Sequence, residues 1–141
     1  MPLEVRQLFF CDVFMPQDKR LIIMHLLVQK IKKKHEGIIL CGDYNIAHKE
    51  IDIHDPKGNK NTTGFLPHER QWLDKYQEAG LIDCLRTHEP DTEGIYSWWT
   101  YRSDCRARNI GWRIDYFMAN SELKNDLVYC KHFPEVLGSD H

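Results

Sequence analysis

Ile38-Ile39-Leu40-Cys41-Gly42-Asp43-Tyr44-Asn45 passes from an apolar, partly β-branched run into polar residues. A short apolar run of this kind, following Gly37, reads as a buried strand with the polar residues just past its end. Open α/β folds often place ligands at the carboxyl ends of their strands, which makes Asp43 and Asn45 candidate site residues. They flank Tyr44, and the two-residue period of a strand aims both side chains the same way, giving a carboxylate and an amide that can share a ligand. An Asx turn accounts for the same spacing and stays open as the alternative.

Upstream, Leu21, Met24, Val28 and Ile31 recur every three or four residues, which predicts a helix from about Gln17 to Lys34. Lys32, Lys33 and Lys34 fall in its last turn, where cations complement the helix dipole, and Gly37 ends it. Residues 3–15 suit a helix by the spacing of Val5, Leu8, Phe9 and Val13 and a strand by Leu8-Phe9-Phe10; the helix is the reading preferred here. Downstream, residues 52–66 are a long polar loop of the sort compact domains keep for a function. Pro67 opens a helix running through Trp72 to Glu78, stopped by Gly80. Strands are expected at Tyr96–Tyr101, Trp112–Met118 and Leu127–Lys131. The order of elements reads as α/β or α+β, without internal repeat or dividing linker.

A chain of 141 residues with 42% hydrophobic and 28% charged residues is long enough for one packed domain and is neither low-complexity nor collagen-like. The apolar stretch from Leu21 to Val28 is too short to span a bilayer, and nothing after Met1 reads as a secretory signal. An intracellular location is expected, the cytoplasm of a bacterium or the nucleus of a eukaryote. Cys11, Cys41, Cys84, Cys105 and Cys130 are odd in number and widely spaced, so they read as core thiols rather than a disulfide framework or zinc site. The net charge of -2 hides a local asymmetry. Glu36–Asp55 carries Glu36, Asp43, Glu50, Asp52 and Asp55 against Lys49, whereas Ile95–Ile114 carries Arg102, Arg106, Arg108 and Arg113 against Asp104. An acidic cluster beside a basic, aromatic strip suits a protein that binds a metal ion and a phosphate polymer together; two unrelated surface patches are the other reading.

Asp115 lies in Gly111-Trp112-Arg113-Ile114-Asp115-Tyr116-Phe117, a run otherwise rich in apolar and aromatic residues, where an unpaired carboxylate would be costly. His141, next to Asp140, is an available partner; pairing would fix its tautomer and let it donate to a phosphate oxygen. A solvent-facing Asp on an edge strand is the alternative. Tyr96, Trp98, Trp99, Tyr101 and Trp112 interleave with the arginines as stacking faces do on nucleic-acid-binding surfaces, although about half of these rings should pack internally. Lys57, Asn59, Lys60 and Asn61 can add phosphate donors from the polar loop, or form a solvated turn.

Together these segments resemble the exodeoxyribonuclease III and apurinic/apyrimidinic endonuclease branch of the endonuclease/exonuclease/phosphatase superfamily. The resemblance rests on Cys41-Gly42-Asp43-Tyr44-Asn45-Ile46-Ala47-His48-Lys49-Glu50-Ile51-Asp52, Pro56-Lys57-Gly58-Asn59-Lys60 and Gly64-Phe65-Leu66-Pro67-His68-Glu69-Arg70. It continues through Tyr96-Ser97-Trp98-Trp99-Thr100-Tyr101-Arg102, the segment from Asn109 to Phe117, and Gly138-Ser139-Asp140-His141, so that it covers residues 38 to 141. It implies part of a four-layer α/β sandwich and hydrolysis, dependent on Mg²⁺ or on Mn²⁺ in its place, of the phosphodiester 5′ to an abasic site in double-stranded DNA. Exonuclease or phosphodiesterase action at 3′ ends is implied as a side activity. Carried over residue by residue, Asp43 orients and activates the attacking water, Asn45 helps to hold it and the phosphate, and His141 paired with Asp115 stabilises the phosphorane. The metal falls to Asp140, with Asp43 and Asn45. Trp98, Trp112 and Ile114 line the pocket for the flipped-out sugar, with Asn59 and Arg102 as DNA contacts. Flipping costs least where a base is already missing.

The family's N-terminal Asn, its glutamate metal ligand and its Tyr-x-Pro segment have no counterpart here; Phe14-Met15-Pro16-Gln17 is the nearest likeness and lacks the hydroxyl. The expectation is therefore the C-terminal half of such a domain, cut at both ends, with an apolar sheet face left open to association. Two other functions stay in view: a DNA-binding fragment that does not cut, and a small-molecule phosphatase of the same superfamily.

Overall fold

The computed structural model describes residues 8–10, 17–34 and 37–141. Strands β1 (Leu8–Phe10), β2 (Ile39–Asp43), β3 (Leu81–Asp83) and β4 (Asp115–Asn120) form one mixed sheet in the order β1-β2-β4-β3. β1 runs parallel to β2, and β4 lies antiparallel to both β2 and β3. The buried strand expected from Ile38 is present, and it continues through Gly42 to Asp43 because β4 pairs with it that far. The helix preferred over residues 3–15 is not formed at Leu8–Phe10, where ladder bonding to Ile39–Cys41 overrides the helical spacing. The rest of that segment, with Cys11 and Phe14-Met15-Pro16, lies outside the described residues.

Helices α1 (Gln17–Lys32) and α2 (Pro67–Glu78) stand where the spacing places them, and α3 (Cys84–His88) follows β3 directly. Val28 and Ile31 of α1 and Leu73 and Tyr76 of α2 pack with Leu40, Tyr116 and Met118, so the two helices and one face of the sheet share a core. The side chains of Leu21 and Met24 lie outside the description. Burying a side chain the size of Leu40 contributes roughly 1.5–3 kcal/mol, which fixes the register of β2 against slippage by one residue. Pro67 occupies the first turn of α2, and Glu69 reaches back to accept hydrogen bonds from the amides of Leu66 (3.0 Å) and Gly64 (2.7 Å). Gly80, at φ +85°, takes the left-handed turn that ends the helix. Lys32 donates to the carbonyl of Ala79 at 2.6 Å, so its charge serves the C-terminal end of α2.

The strand alternation divides the sheet. Leu40 and Tyr116 face the helices, while Cys41 pairs with Phe117, and Asp43 with Asp115, on the other face. Phe117 there is 50% exposed, on the face where the sequence suggests association. Tyr96–Tyr101 and Leu127–Lys131 do not form the strands expected of them. The first makes a single bridge, Trp98 to Trp112, because its aromatic rings fill a separate small core of Tyr96, Trp99 and Cys105; the second is irregular. β4 starts at Asp115 rather than Trp112, since Trp112 bridges Ile53 and Trp98 instead of the sheet. Among the described residues, no helix is long and apolar enough to cross a membrane. Cys41, Cys84 and Cys105 are buried free thiols, and burial first of all pushes the Cys84 thiol up to about 12.

A buried ion network joins the loop after β2 to the far strands. Arg113, 1% exposed, donates from Nε to Asp52 (2.7 Å) and from a terminal nitrogen to Asp83 (2.6 Å). Arg86 donates to the same Asp52 oxygen at 2.7 Å and to the carbonyls of Glu89 and Thr92. Burial works to raise the Asp52 carboxyl, but bonds from Arg113, the Lys49 amide and Arg86 outweigh it and hold the pKa below its ordinary value. Asp52 and Arg113 thus leave the acidic cluster and the basic strip: neither is offered to a metal ion or a phosphate polymer, and they neutralise each other inside.

Candidate active site

The site forms where β2 and β4 end together on the face of the sheet away from α1 and α2. Asp43 closes β2 opposite Asp115, the first residue of β4. His141 brings its Nδ1 to 2.7 Å from Oδ2 of Asp115. One ligand atom each of Asp43, Asp115 and His141 lies within 4.8 Å of the other two. The pairing of His141 with Asp115 expected from the sequence is thus present, and Asp115 is not a bare edge carboxylate.

Beyond Asp43 the chain turns sharply. Asn45 takes φ 56°, and its amide donates to Oδ1 of Asp43 at 2.7 Å. This is the Asx-turn bond, so alternation along the strand stops at Asp43 and is not what brings Asn45 near it. The turn is thus the reading of Asp-x-Asn that is realised, and it leaves the Asp43 carboxylate in the site.

Ser97 is a site residue the sequence did not single out. Its Oγ donates to Oδ2 of Asp115 at 2.7 Å and accepts from the amides of Ile114 and Asp115, both at 3.0 Å. Asp115 therefore meets Ser97 and His141 through one oxygen, which orients the carboxylate. The only sequence signal for Ser97 was its place between Tyr96 and Trp98 in the aromatic strip.

Asp140 stands apart from the Asp43, Asp115 and His141 group. Its Oδ2 accepts from the Trp98 indole at 3.0 Å and its carbonyl from the Trp99 amide at 2.9 Å. Trp98 and Trp112 meet edge to face at 6.3 Å, and Trp112 packs on Ala47, Ile53 and Phe65. Both are half-buried, whereas Ile114 is 6% exposed and offers little surface to a ligand. Asn59 donates to the carbonyls of His54 and Asp55, which holds its own loop, and Arg102 is exposed. Of the four arginines in the strip, Arg113 is buried and Arg106 is bound to the carbonyls of Pro134, Val136 and Ser139, so Arg102 and Arg108 are the exposed pair.

Two carboxylates at the end of a sheet offer hard oxygen donors, a set that suits a divalent cation, while the imidazole is engaged through Nδ1 with Asp115. The repulsion between facing Asp43 and Asp115 is what such an ion relieves.

Residues 8–141 match the Endonuclease/Exonuclease/phosphatase family, and the chain belongs to it. It is 40% identical to the exodeoxyribonuclease of Bacillus subtilis (strain 168) over 99% of this chain and 59% of that protein. It is 44% identical to the DNA repair nuclease APEX1 of Danio rerio over 74% of this chain and 34% of that one. Among solved structures, the AP endonuclease LMAP from Leishmania major superposes with a TM-score of 0.77 and 32% identity, covering 89% of this chain and 40% of that one. The chain thus spans between about a third and three fifths of the length of these relatives. The fold is theirs, the α/β architecture of the endonuclease/exonuclease/phosphatase family.

Proposed function

We propose that this chain carries part of the active site of a DNA-repair nuclease that hydrolyses the phosphodiester 5′ to an abasic site, with 3′-end trimming as a side activity. The observation that carries the proposal is the convergence of Asp43, Asp115 and His141 at one end of the sheet. Relatives named exodeoxyribonuclease and DNA repair nuclease support the substrate class.

In this reading Asp43 accepts a hydrogen bond from the attacking water and takes its proton as the oxygen bonds to phosphorus. The bond from phosphorus to the leaving 3′ oxygen breaks, and that oxygen takes a proton from solvent. Asp115 fixes the His141 ring through Nδ1, leaving Nε2 to donate to a non-bridging phosphate oxygen as charge builds there. Ser97 keeps the Asp115 carboxylate from rotating away. Asp43 and Asp115, with Asn45 on the turn that follows Asp43, would hold Mg²⁺ or Mn²⁺, which would supply Lewis-acid charge to the phosphate; Asp140, engaged by Trp98, stays outside that set. The edge-to-face pair Trp98 and Trp112 gives an apolar wall for a sugar that has lost its base.

A labelled duplex with one abasic-site analogue, incubated with and without Mg²⁺ beside an Asp43→Asn control, tests the proposal. Mg²⁺-dependent incision 5′ to the lesion, lost in the control, supports it. Salt-sensitive DNA binding with no incision would replace it with the binding reading, and turnover of a small phosphomonoester with indifference to DNA with the phosphatase reading.

A further inference from the structure

Residues 127–141 contain no strand or helix, and Val128, Phe133, Val136 and Leu137 are more than half exposed. Apolar burial therefore does little to fix the segment that ends in His141, and polar bonds must locate it. One side chain makes three of them, beside single bonds from the Trp98 indole and the Trp99 amide to Asp140 and between His132 and the Tyr96 carbonyl. Arg106 donates to the carbonyl of Ser139 at 2.6 Å, of Val136 at 2.8 Å and of Pro134 at 3.0 Å. Its guanidinium carbon lies 4.8 Å from the centre of the Trp99 ring. Trp99 is itself firmly set: it is 4% exposed, its indole donates to Asn109 at 3.1 Å, and its amide holds the carbonyl of Asp140. From Ser139 the path to the site is two residues long, and the Ser139 hydroxyl accepts from the His141 amide at 3.1 Å.

We propose that Arg106 is a positioning residue which, by gathering the carbonyls of Pro134, Val136 and Ser139 against Trp99, sets His141 on the Asp115 carboxylate. The inference rests on the nuclease reading for its effect on catalysis, but not for its effect on His141. Three carbonyls around one planar fork need a guanidinium, since an ammonium is a point donor and cannot stack on the indole in the same way. The bonds also redefine what Arg106 does in the basic strip: both terminal nitrogens are occupied by the protein's own chain rather than offered to a phosphate.

The test compares Arg106→Gln and Arg106→Lys with the wild type after labelling the histidine rings with ¹⁵N, assigning the His141 ring by its loss in His141→Gln. The expected result is loss of the hydrogen-bonded Nδ1 signal of His141 in Arg106→Gln, with β2 and β4 amides unmoved and no full rescue in Arg106→Lys. An unchanged His141 signal in Arg106→Gln, or full recovery with lysine, overturns the proposal. So does a loss shared with the amides of β2 and β4, which makes Arg106 a folding residue; if Arg106→Gln does not fold, Arg106→Lys gives the reading. On abasic duplex, kcat should fall about 100-fold at constant KM, the scale of a misplaced catalytic group. A raised KM with a shallower salt dependence and an intact His141 signal would instead make Arg106 a phosphate contact and overturn the proposal. A wild type that does not incise, but whose His141 responds to Arg106→Gln as described, would fail the nuclease reading alone.

Discussion

Asp43 and Asp115 are cross-strand partners, set opposite each other by the pairing of β2 with β4, and their carboxylates share a space within 4.8 Å of His141. Like charges facing across a ladder destabilise it by roughly 0.2–1 kcal/mol. Asp43→Asn should therefore raise the Tm of the metal-free protein slightly while abolishing the rise that Mg²⁺ gives the wild type. Thermal unfolding with Mg²⁺ and with a chelator checks both; a wild-type Tm indifferent to Mg²⁺ would count against a cation between these residues.

The buried network sets a second expectation. Arg113→Leu leaves Asp52 and Asp83 buried without their shared cation and should cost about 3–5 kcal/mol, read as a lowered urea midpoint. Because the folded-state pKa of Asp52 lies below 3.8, its contribution is complete above that pH and is lost as pH falls through the lowered value. Arg86→Gln, which removes one of the groups lowering that pKa, should move acid unfolding to higher pH.

His48 sets a slope nearer neutrality. It is 2% exposed with Nε2 at 2.7 Å from Asp74, and burial lowers its pKa below 6.5 by more than Asp74 lifts it. The unfolded chain then binds the proton more readily, so stability is complete above 6.5 and declines as pH falls from there toward the lowered value. His132, also lowered chiefly by burial, adds a slope of the same sign. Urea midpoints at about pH 7.5 and about pH 5.5 should differ in the wild type and differ less in His48→Gln.

Ser97→Ala tests the support of the Asp115–His141 pair. It removes the donor to Asp115 and the acceptor of two backbone amides, so a cost of about 1–3 kcal/mol in stability should accompany a lower kcat. Equal kcat in Ser97→Ala would mean that His141 alone orients Asp115.

Gly111→Ala probes the floor under the aromatic strip. A Cβ there would stand 2.5 Å from the Trp99 indole nitrogen and 2.8 Å from Cβ of Tyr96, both inside a packed cluster. A cost of about 1–3 kcal/mol is expected from such overpacking, together with a shift in Trp fluorescence.

How far the sequence carried depended on how local the cause was. β2 and α2 were legible because an apolar run, a proline and a glycine mark their bounds within the chain itself. β3 was not, because three residues running straight into α3 give no period to read. Leu8–Phe10 is a strand because of a partner 31 residues away, against its own spacing. In the site, Asp43, Asp115 and His141 stood out as polar residues in apolar or terminal settings, and the structure brings them together. Ser97 did not, and Arg106 stood out only as one cation of the basic strip, since their roles come from a strand and a segment remote in sequence. Arg113 misled for the opposite reason: a cation among aromatics looks like surface until its two carboxylates are found inside.

The central place of β4 also bears on how the chain is made. β3 and β2 both need β4 as their neighbour, and Asp115 lies 72 positions after Asp43. At ribosomal speeds that interval takes about 4–14 seconds, during which β2 waits with an unpaired edge. The pair of carboxylates is thus created by the same step that covers the β2 edge, so a nascent chain acquires its candidate chemistry only once that edge is paired.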